Sequence, residues 1–212
     1  MPTKRMTGAE RMYIKRAFLE RNAFATLFGE ALILLAGTML LTASAKVQVP
    51  YYPVPMTTQT LVVVALGLFL GPVRGSGVII AYILQGLAGF PVFAGTPPTP
   101  SGLAYVAGPT GGYLAGFAIS AYVAGWLARR GYAKSIFGAV TIAIAASVMI
   151  YVPGLAWLGV FTGYGEGLLS TGLYPFLLGD LLKSTIAGLL YIAGSVILPR
   201  FGHVSGKETS KK

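Results

Sequence analysis

Apolar residues run through this chain in long blocks that short polar segments separate. An α-helix needs about 20 mostly apolar residues to cross a bilayer, and unbroken blocks differ from the alternating pattern of an outer-membrane barrel. The pattern therefore predicts an all-α integral membrane bundle of six transmembrane helices, the second of them short and bounded by prolines. The six blocks lie near residues 24–45, 57–72, 76–94, 104–128, 135–161 and 173–198.

The placement of charge predicts how these helices are oriented. The composition is 55% hydrophobic and 10% charged, with a mean hydropathy of +0.72, which is typical of a membrane protein. If six spans alternate, fourteen of the sixteen basic residues fall on one side, which leaves Lys46 on the other side and Lys183 inside a span. Basic residues concentrate on the cytoplasmic side, so we expect both termini there. The same placement argues against nucleic-acid binding despite the net charge of +10.

The polar ends of the chain are expected to flank a single membrane domain. We expect a basic cytoplasmic segment at 1–23, a six-helix transmembrane domain at 24–200 and a cytoplasmic tail at 201–212. The stretch 8–24 mixes basic and apolar residues, which is typical of either an interfacial helix on the inner leaflet or a solvated tail.

The residue inventory excludes the familiar chemistries of membrane enzymes. The chain has no cysteine, a single histidine (His203, in the tail), a single aspartate (Asp180) and no GxxxxGK[ST] phosphate loop. These counts remove zinc sites, Ser/His/Asp triads, aspartyl proteases and P-loop ATP hydrolysis. We expect no catalytic residues, no metal and no cofactor. An intramembrane enzyme of an unusual kind or a membrane scaffold is the alternative from another class.

Asp180 and Lys183 stand out because they interrupt the last apolar block. A charge deep in a bilayer costs on the order of 2.5 to 3.5 kcal/mol, so two charges at i and i+3 should pair and face the bundle interior. The functional interpretation is a binding site in the outer half of the membrane, and the alternative is a structural ion pair. Polar residues of neighbouring spans can complete a pocket for a small, partly apolar solute: Thr57, Thr58, Gln59, Thr60, Tyr82 and Gln85.

Small residues recur at a spacing of four in two of the predicted spans. Such a ridge lets another helix approach closely where lipid provides no hydrophobic drive. The fourth span carries Ala104, Gly108, Gly112, Gly116, Ser120, Ala124 and Ala128, for which we expect packing within the molecule. The first span carries Ala25 and Gly29, for which internal packing and a docking surface for another membrane protein are both open.

Five sequence blocks, in order, resemble the BioY family, the biotin-specific substrate-binding subunit of energy-coupling-factor vitamin transporters. They are AKVQVPYYPVPMTTQTL (45–61), LGLFLGPVRG (66–75), GLAGFPVFAG (86–95), GPTGGYLAGF (108–117) and GLYPFLLGDLLKSTIAG (172–188). The resemblance implies a six-helix fold in a bacterial cytoplasmic membrane and uptake of biotin. A subunit for another vitamin, such as lipoate or thiamin, and a solitary biotin transporter are the alternatives.

The resemblance also implies roles for individual residues. Asp180 would accept the ureido N–H groups of biotin, and Lys183 would donate to the ureido carbonyl or pair with the carboxylate of the ligand. Gln85 stands where the family has an amide-type ligand residue, and Tyr82 would cover the ring. The loop after the first span would act as a lid, with the candidates Tyr51, Tyr52, Thr58 and Gln59.

The resemblance further implies partners. A transmembrane coupling protein and two ATP-binding cassette ATPases would drive inward release when the subunit topples in the membrane. The family docks on the coupling protein through an Ala-xxx-Ala pattern on the first helix. Here Ala25 matches the first position, whereas Gly29 replaces the second alanine.

Overall fold

The computed structural model describes residues 8–49, 52–95 and 102–197, with side chains from Ala25 onwards. Within these residues the chain is almost entirely helical, which confirms the all-α prediction. The elements in chain order are α1 (Gly8–Lys46), β1 (Gln48–Val49), β2 (Met56–Thr57), α2 (Gln59–Leu70), α3 (Pro72–Leu87), α4 (Leu103–Val106), α5 (Gly111–Arg129), α6 (Ile136–Thr162), α7 (Glu166–Gly172) and α8 (Tyr174–Ile197).

Each of the six predicted spans contains a helix, but the helices differ in length. Among the described residues, four segments are long and apolar enough to cross a membrane: Ala25–Lys46, Gly111–Arg129, Ile136–Thr162 and Glu166–Ile197. The helix α2 has 12 residues and α3 has 16, so neither reaches the length of a simple perpendicular span.

The chain divides into two compact units, Met1–Ala36 and Gly37–Lys212. The described part of the first unit is the N-terminal portion of α1, a continuous helix from Gly8. The second unit contains all the other elements and all the packing discussed below. The predicted tail at 201–212 lies outside the described residues.

Two predicted spans extend by seven residues past an end of the helix that forms there. The helix α3 ends at Leu87 rather than at residue 94, because Gly89 adopts a φ of +91° and Pro91 follows. The helix α5 begins at Gly111 rather than at residue 104, because Pro109 disfavours helical backbone at the residue before it. Ala104 therefore lies in the separate, short helix α4 and is exposed.

The small-residue ridge of α5 packs inside the molecule, as predicted for its helical members. A Cβ added at Gly116 would lie 2.6 Å from the carbonyl oxygen of Ile150 on α6. One added at Gly112 would meet the carbonyl oxygen of Pro153 and the side chain of Trp157. Further along the ridge, Ala124 is completely buried. The ridge thus brings the backbones of α5 and α6 into contact beside the site described below.

Glycines also join α2 and α3 to α5. Gly71 ends α2 with a φ of +82°, and Pro72 occupies the first turn of α3, which produces a tight reversal between the two helices. A Cβ on Gly75 would lie 2.9 Å from the Cα of Gly67, and one on Gly125 would meet the backbone of Gly71 and Pro72. Close backbone contact therefore holds these three helices together.

A short hairpin closes the end of the bundle where α1 passes into α2. The strands β1 and β2 are antiparallel, with Gln48 opposite Thr57. The hydroxyl of Thr58 donates to the carbonyl oxygen of Ser44 at 2.9 Å, which ties the base of the hairpin to α1. Lys46 Nζ donates to the carbonyl oxygen of Phe93 at 2.7 Å, so the hairpin base also holds the segment that follows α3.

Candidate binding site

A cavity lies beneath the hairpin, between α2, α5, α6 and α8. The empty space between its side chains, including the open solvent at the mouth, is about 520 Å³. Aromatic and aliphatic side chains form most of the wall, and most of the polar groups come from β2, α2, α6 and α8. The apolar lining includes Val54, Leu114, Phe117, Ile150 and Phe176, and the polar lining includes Thr57, Gln59, Thr60, Tyr151, Asp180 and Lys183.

The carboxylate of Asp180 is the most heavily bonded group of this wall. Asp180 is 6% exposed, on the inward face of α8. The hydroxyl of Thr60 on α2 donates to its Oδ1 at 2.9 Å, and the hydroxyl of Tyr151 on α6 donates to its Oδ2. A buried carboxylate is tolerated only when its oxygens are paired in this way. The bonds therefore connect three helices through one side chain.

The ammonium of Lys183 completes the polar wall. Its Nζ lies 2.5 Å from Asp180 Oδ1 and donates to the carbonyl oxygen of Thr57 at 3.0 Å. The side chain is 17% exposed, so water screens the pair only partly. Since Thr57 belongs to β2, the same ammonium links α8 to the hairpin. The predicted i, i+3 pair is therefore present and faces a cavity.

A second chain of hydrogen bonds stands behind this wall. Gln59 Nε2 donates to the hydroxyl of Tyr82 at 2.9 Å, and that hydroxyl donates to the carbonyl oxygen of Val92 at 2.9 Å. Thr57 Oγ1 donates to Gln59 Oε1 at 3.2 Å. These bonds fix the amide of Gln59 in one orientation at the cavity wall.

Stacked aromatic rings support another part of the cavity wall. The ring of Phe93 stacks on that of Tyr105 with 4.7 Å between the centroids, and it meets Tyr82 edge-on at 5.5 Å. Tyr105 lines the cavity from α4. Since Lys46 holds the backbone of Phe93, the position of this wall depends on the hairpin base.

The predicted site residues differ in where the structure places them. Asp180, Lys183 and Gln59 line the cavity. Four other candidates are not among the described residues that line it: Tyr82, Gln85, Tyr52 and Thr58. Tyr82 lies behind Gln59, and Gln85 Nε2 donates to Thr38 Oγ1 at 3.2 Å. Tyr52 is 88% exposed, and the hydroxyl of Thr58 donates to the carbonyl oxygen of Ser44. Tyr51 lies outside the described residues, and Ala25 and Gly29 lie one turn apart on α1.

Sequence reasoning missed Tyr151 and the aromatic lining on α5 and α8. Tyr151 is a polar ring in the middle of an apolar helix, two residues before Pro153, and that isolation was the only signal available. Tyr113 and Phe176 give no signal beyond their apolar surroundings. Among the described residues, no three His, Cys, Asp or Glu side chains lie near enough together to hold a metal ion.

Comparison with known proteins identifies the family. A family model described as the BioY family matches residues 19–200 of the 212. The chain belongs to the BioY family. This confirms the resemblance carried by the five sequence blocks, and it classes the chain with transport proteins rather than enzymes.

Individual relatives agree with this assignment. A protein of Pyrococcus horikoshii named "Probable biotin transporter BioY" is 35% identical over 154 residues, which cover 71% of this chain and 86% of the relative. The "Biotin transporter BioY" of Thermotoga maritima is 33% identical over 153 residues, which cover 72% of this chain and 88% of the relative. Both matches extend over most of the relative, so the similarity is not confined to one motif.

A solved structure has the same fold. The crystal structure of the S-component for biotin from an ECF-type ABC transporter superposes with a TM-score of 0.68 and 23% sequence identity. The match covers 82% of this chain and 92% of that one. The helical arrangement is thus the one found in that S-component.

The ion pair at the cavity wall generates a stability prediction. In Lys183→Met the carboxylate of Asp180 loses its cation inside the protein, which should lower the free energy of unfolding by a few kcal/mol. The double variant Asp180→Asn/Lys183→Met removes both charges, so it should regain part of that loss. Thermal unfolding of the purified protein in detergent measures both effects.

Lys46→Met is the matched control, because Lys46 bonds to backbone carbonyl oxygens and not to a carboxylate. If the effects of Asp180→Asn and Lys183→Met on the free energy of unfolding were additive, the prediction would be wrong, since two groups in direct contact should show coupling.

Proposed function

We propose that this chain takes up biotin across a bacterial cytoplasmic membrane by capturing it in the Asp180 cavity and delivering it inward. In this proposal six helices cross the membrane and both termini are cytoplasmic. Fourteen of sixteen basic residues then lie on the cytoplasmic side, which supports the orientation. The hairpin and the cavity would then face outward.

One observation carries the proposal: a paired carboxylate and ammonium form the polar wall of an otherwise apolar cavity. Biotin presents the complementary groups, since its ureido ring has two N–H donors and one carbonyl, and its thiolane and valerate chain are apolar. Phe117, Ile150 and Phe176 offer apolar surface to these parts of the ligand. Membership of the BioY family supports the same assignment.

The hydrogen-bond inventory supports a specific pose. Each carboxylate oxygen accepts about two hydrogen bonds. Thr60 and Lys183 occupy Oδ1 of Asp180, and Tyr151 occupies one position on Oδ2. One ureido N–H can therefore bind Oδ2 directly. Lys183 uses two of its three protons on Asp180 and Thr57, and we assign the third to the ureido carbonyl.

The segment 52–58 would act as the lid. Val54, Pro55 and Thr57 line the cavity from above, and Thr57 is joined to Lys183 through its carbonyl oxygen. Opening of the hairpin would break this bond and expose the polar wall. The lid would therefore close most firmly when Lys183 is held in place by Asp180 and by the ligand.

Asp180→Asn tests the central contact. The variant replaces a charged acceptor by an amide whose NH₂ group can meet a ureido N–H, so biotin affinity should fall by at least about tenfold. Calorimetric titration of the purified protein measures the change. Glu166→Gln is the matched control, because it removes an outer carboxylate that does not line the cavity. Unchanged affinity in Asp180→Asn would sink the assignment.

Biotinamide, the neutral amide of biotin, separates the two roles of Lys183. If Lys183 donates to the ureido carbonyl, then Lys183→Ala weakens biotin and biotinamide by the same factor. If Lys183 pairs with the valerate carboxylate, the native protein prefers biotin and the variant loses that preference. Our assignment predicts equal factors in the two titrations, and a preference abolished by Lys183→Ala would reverse it.

The chemistry of the wall favours biotin over the other vitamins considered. Lipoate has an apolar ring and a carboxylate but lacks the ureido donors that Asp180 would bind. Thiamin carries a positive charge, which would lie beside the ammonium of Lys183. Competition with lipoate and thiamin during biotin binding separates these ligands, and displacement of biotin at equal concentration would count against the proposal.

Energy for inward delivery would come from partner proteins. We propose a transmembrane coupling protein and two ATP-binding cassette ATPases, because this chain has no phosphate loop of its own. The docking surface would include Ala25 and Gly29, whose spacing of four puts them on one face of α1. Uptake in cells that lack the ATPases would favour the solitary alternative.

Substitutions at Gly29 test the docking surface. Gly29→Ala restores the Ala-xxx-Ala pattern and should retain uptake, whereas Gly29→Leu inserts a bulky side chain and should lower uptake several-fold. Biotin affinity should be the same in both variants, because neither position lines the cavity. Uptake of labelled biotin in cells with the coupling proteins measures the effect, and normal uptake with Gly29→Leu would remove this face from the interface.

A further inference from the structure

A groove that shares no lining residue with the candidate site lies where α5 ends and α6 begins. The space in this groove, including the open solvent at its mouth, is about 790 Å³. Trp126, Tyr132 and Phe137 form an aromatic rim, and all three rings are exposed. Exposed aromatic rings are typical of the level of the lipid headgroups in a membrane protein.

The floor of the groove is apolar and follows the helices into the membrane. Leu127 on α5 and Ile142 and Ala145 on α6 line it. From Phe137 to Ala145 the helix α6 rises by about 12 Å, so the groove extends from the rim toward the hydrocarbon region. An acyl chain has the shape and chemistry to fill such a channel.

Cations mark the rim of the groove. The guanidinium of Arg130 lies 4.0 Å from the ring centroid of Trp126, which fixes it beside the opening. Lys134 follows in the same turn, and no acidic residue occurs anywhere between Glu30 and Glu166. Among the described residues Arg130 has no carboxylate partner. The rim therefore has positive charge that a phosphate can neutralise.

We propose that this groove binds an anionic phospholipid, with its phosphate on Arg130 and one acyl chain between α5 and α6. The charge selects the headgroup, because an anionic surface attracts each nearby Lys or Arg, and the apolar floor holds the chain. In the orientation proposed above, this end of α5 meets the cytoplasmic leaflet. The proposal is independent of the transported solute.

Trp126 provides its own reporter of occupancy. The chain has two tryptophans, so Trp157→Phe leaves Trp126 as the single emitter. In nanodiscs, phosphatidylglycerol with brominated chains should quench Trp126 more strongly than brominated phosphatidylcholine at equal mole fraction. Arg130→Gln should reduce that preference about fivefold, the factor expected for one cation beside an anionic lipid. Arg74→Gln, which removes a cation from the first turn of α3, should leave the preference intact.

The acyl-chain part of the proposal has a separate test. Ala145→Leu fills the floor of the groove and should weaken quenching by phosphatidylglycerol, whereas Ala115→Leu, at an exposed position of α5 outside the groove, should not. Circular dichroism verifies that each variant keeps its helical content. Equal quenching by the two lipids, a preference that survives Arg130→Gln, or quenching unaffected by Ala145→Leu would overturn the proposal. Emission that depends on protein concentration rather than lipid type would overturn it in favour of a second copy of the chain.

Discussion

A carboxylate held beside an ammonium among apolar helices is the interaction on which the rest of this structure depends. Each charge alone would cost about 2.5 to 3.5 kcal/mol in the bilayer, so the fold must surround both with partners. Thr60, Tyr151 and Thr57 supply those partners from α2, α6 and the hairpin. Two helices and the hairpin consequently meet at one point of α8, and the cavity opens beside it.

Small residues make this convergence sterically possible. Gly112 and Gly116 let α5 contact the backbone of α6, which brings α6 and its Tyr151 close to the cavity. Tyr113 on α5 also lines the cavity, and its hydroxyl donates to the carbonyl oxygen of Gly172 at 2.8 Å, which joins α5 to the helical turn before α8. Lipid provides no hydrophobic drive for such contacts, so backbone approach and hydrogen bonds take its place. The helices thus approach each other closely in the region where the polar bonds form.

Much of this arrangement was predictable from the sequence, and the limits have physical causes. The apolar blocks predicted the positions of the helices, because a helix in lipid needs a long run of apolar residues that is visible in the sequence. The i, i+3 spacing of Asp180 and Lys183 predicted that both lie on one face of α8. Contacts between helices leave no such signal. The bond from Tyr151 to Asp180 joins residues 29 apart in sequence and depends on how two helices are rotated, as does the bond from Gln85 Nε2 to Thr38 Oγ1. Ends of helices were misjudged where Gly89 and Pro109 stopped them within apolar sequence.

The most direct test of the account is the structure of this protein with biotin bound. We expect a ureido nitrogen within about 3.2 Å of Asp180 Oδ2, the ureido oxygen beside Lys183 Nζ, and the segment 52–58 closed over the ligand. Biotin bound elsewhere, or bound in this cavity with Asp180 still paired only to Thr60, Tyr151 and Lys183, would contradict it.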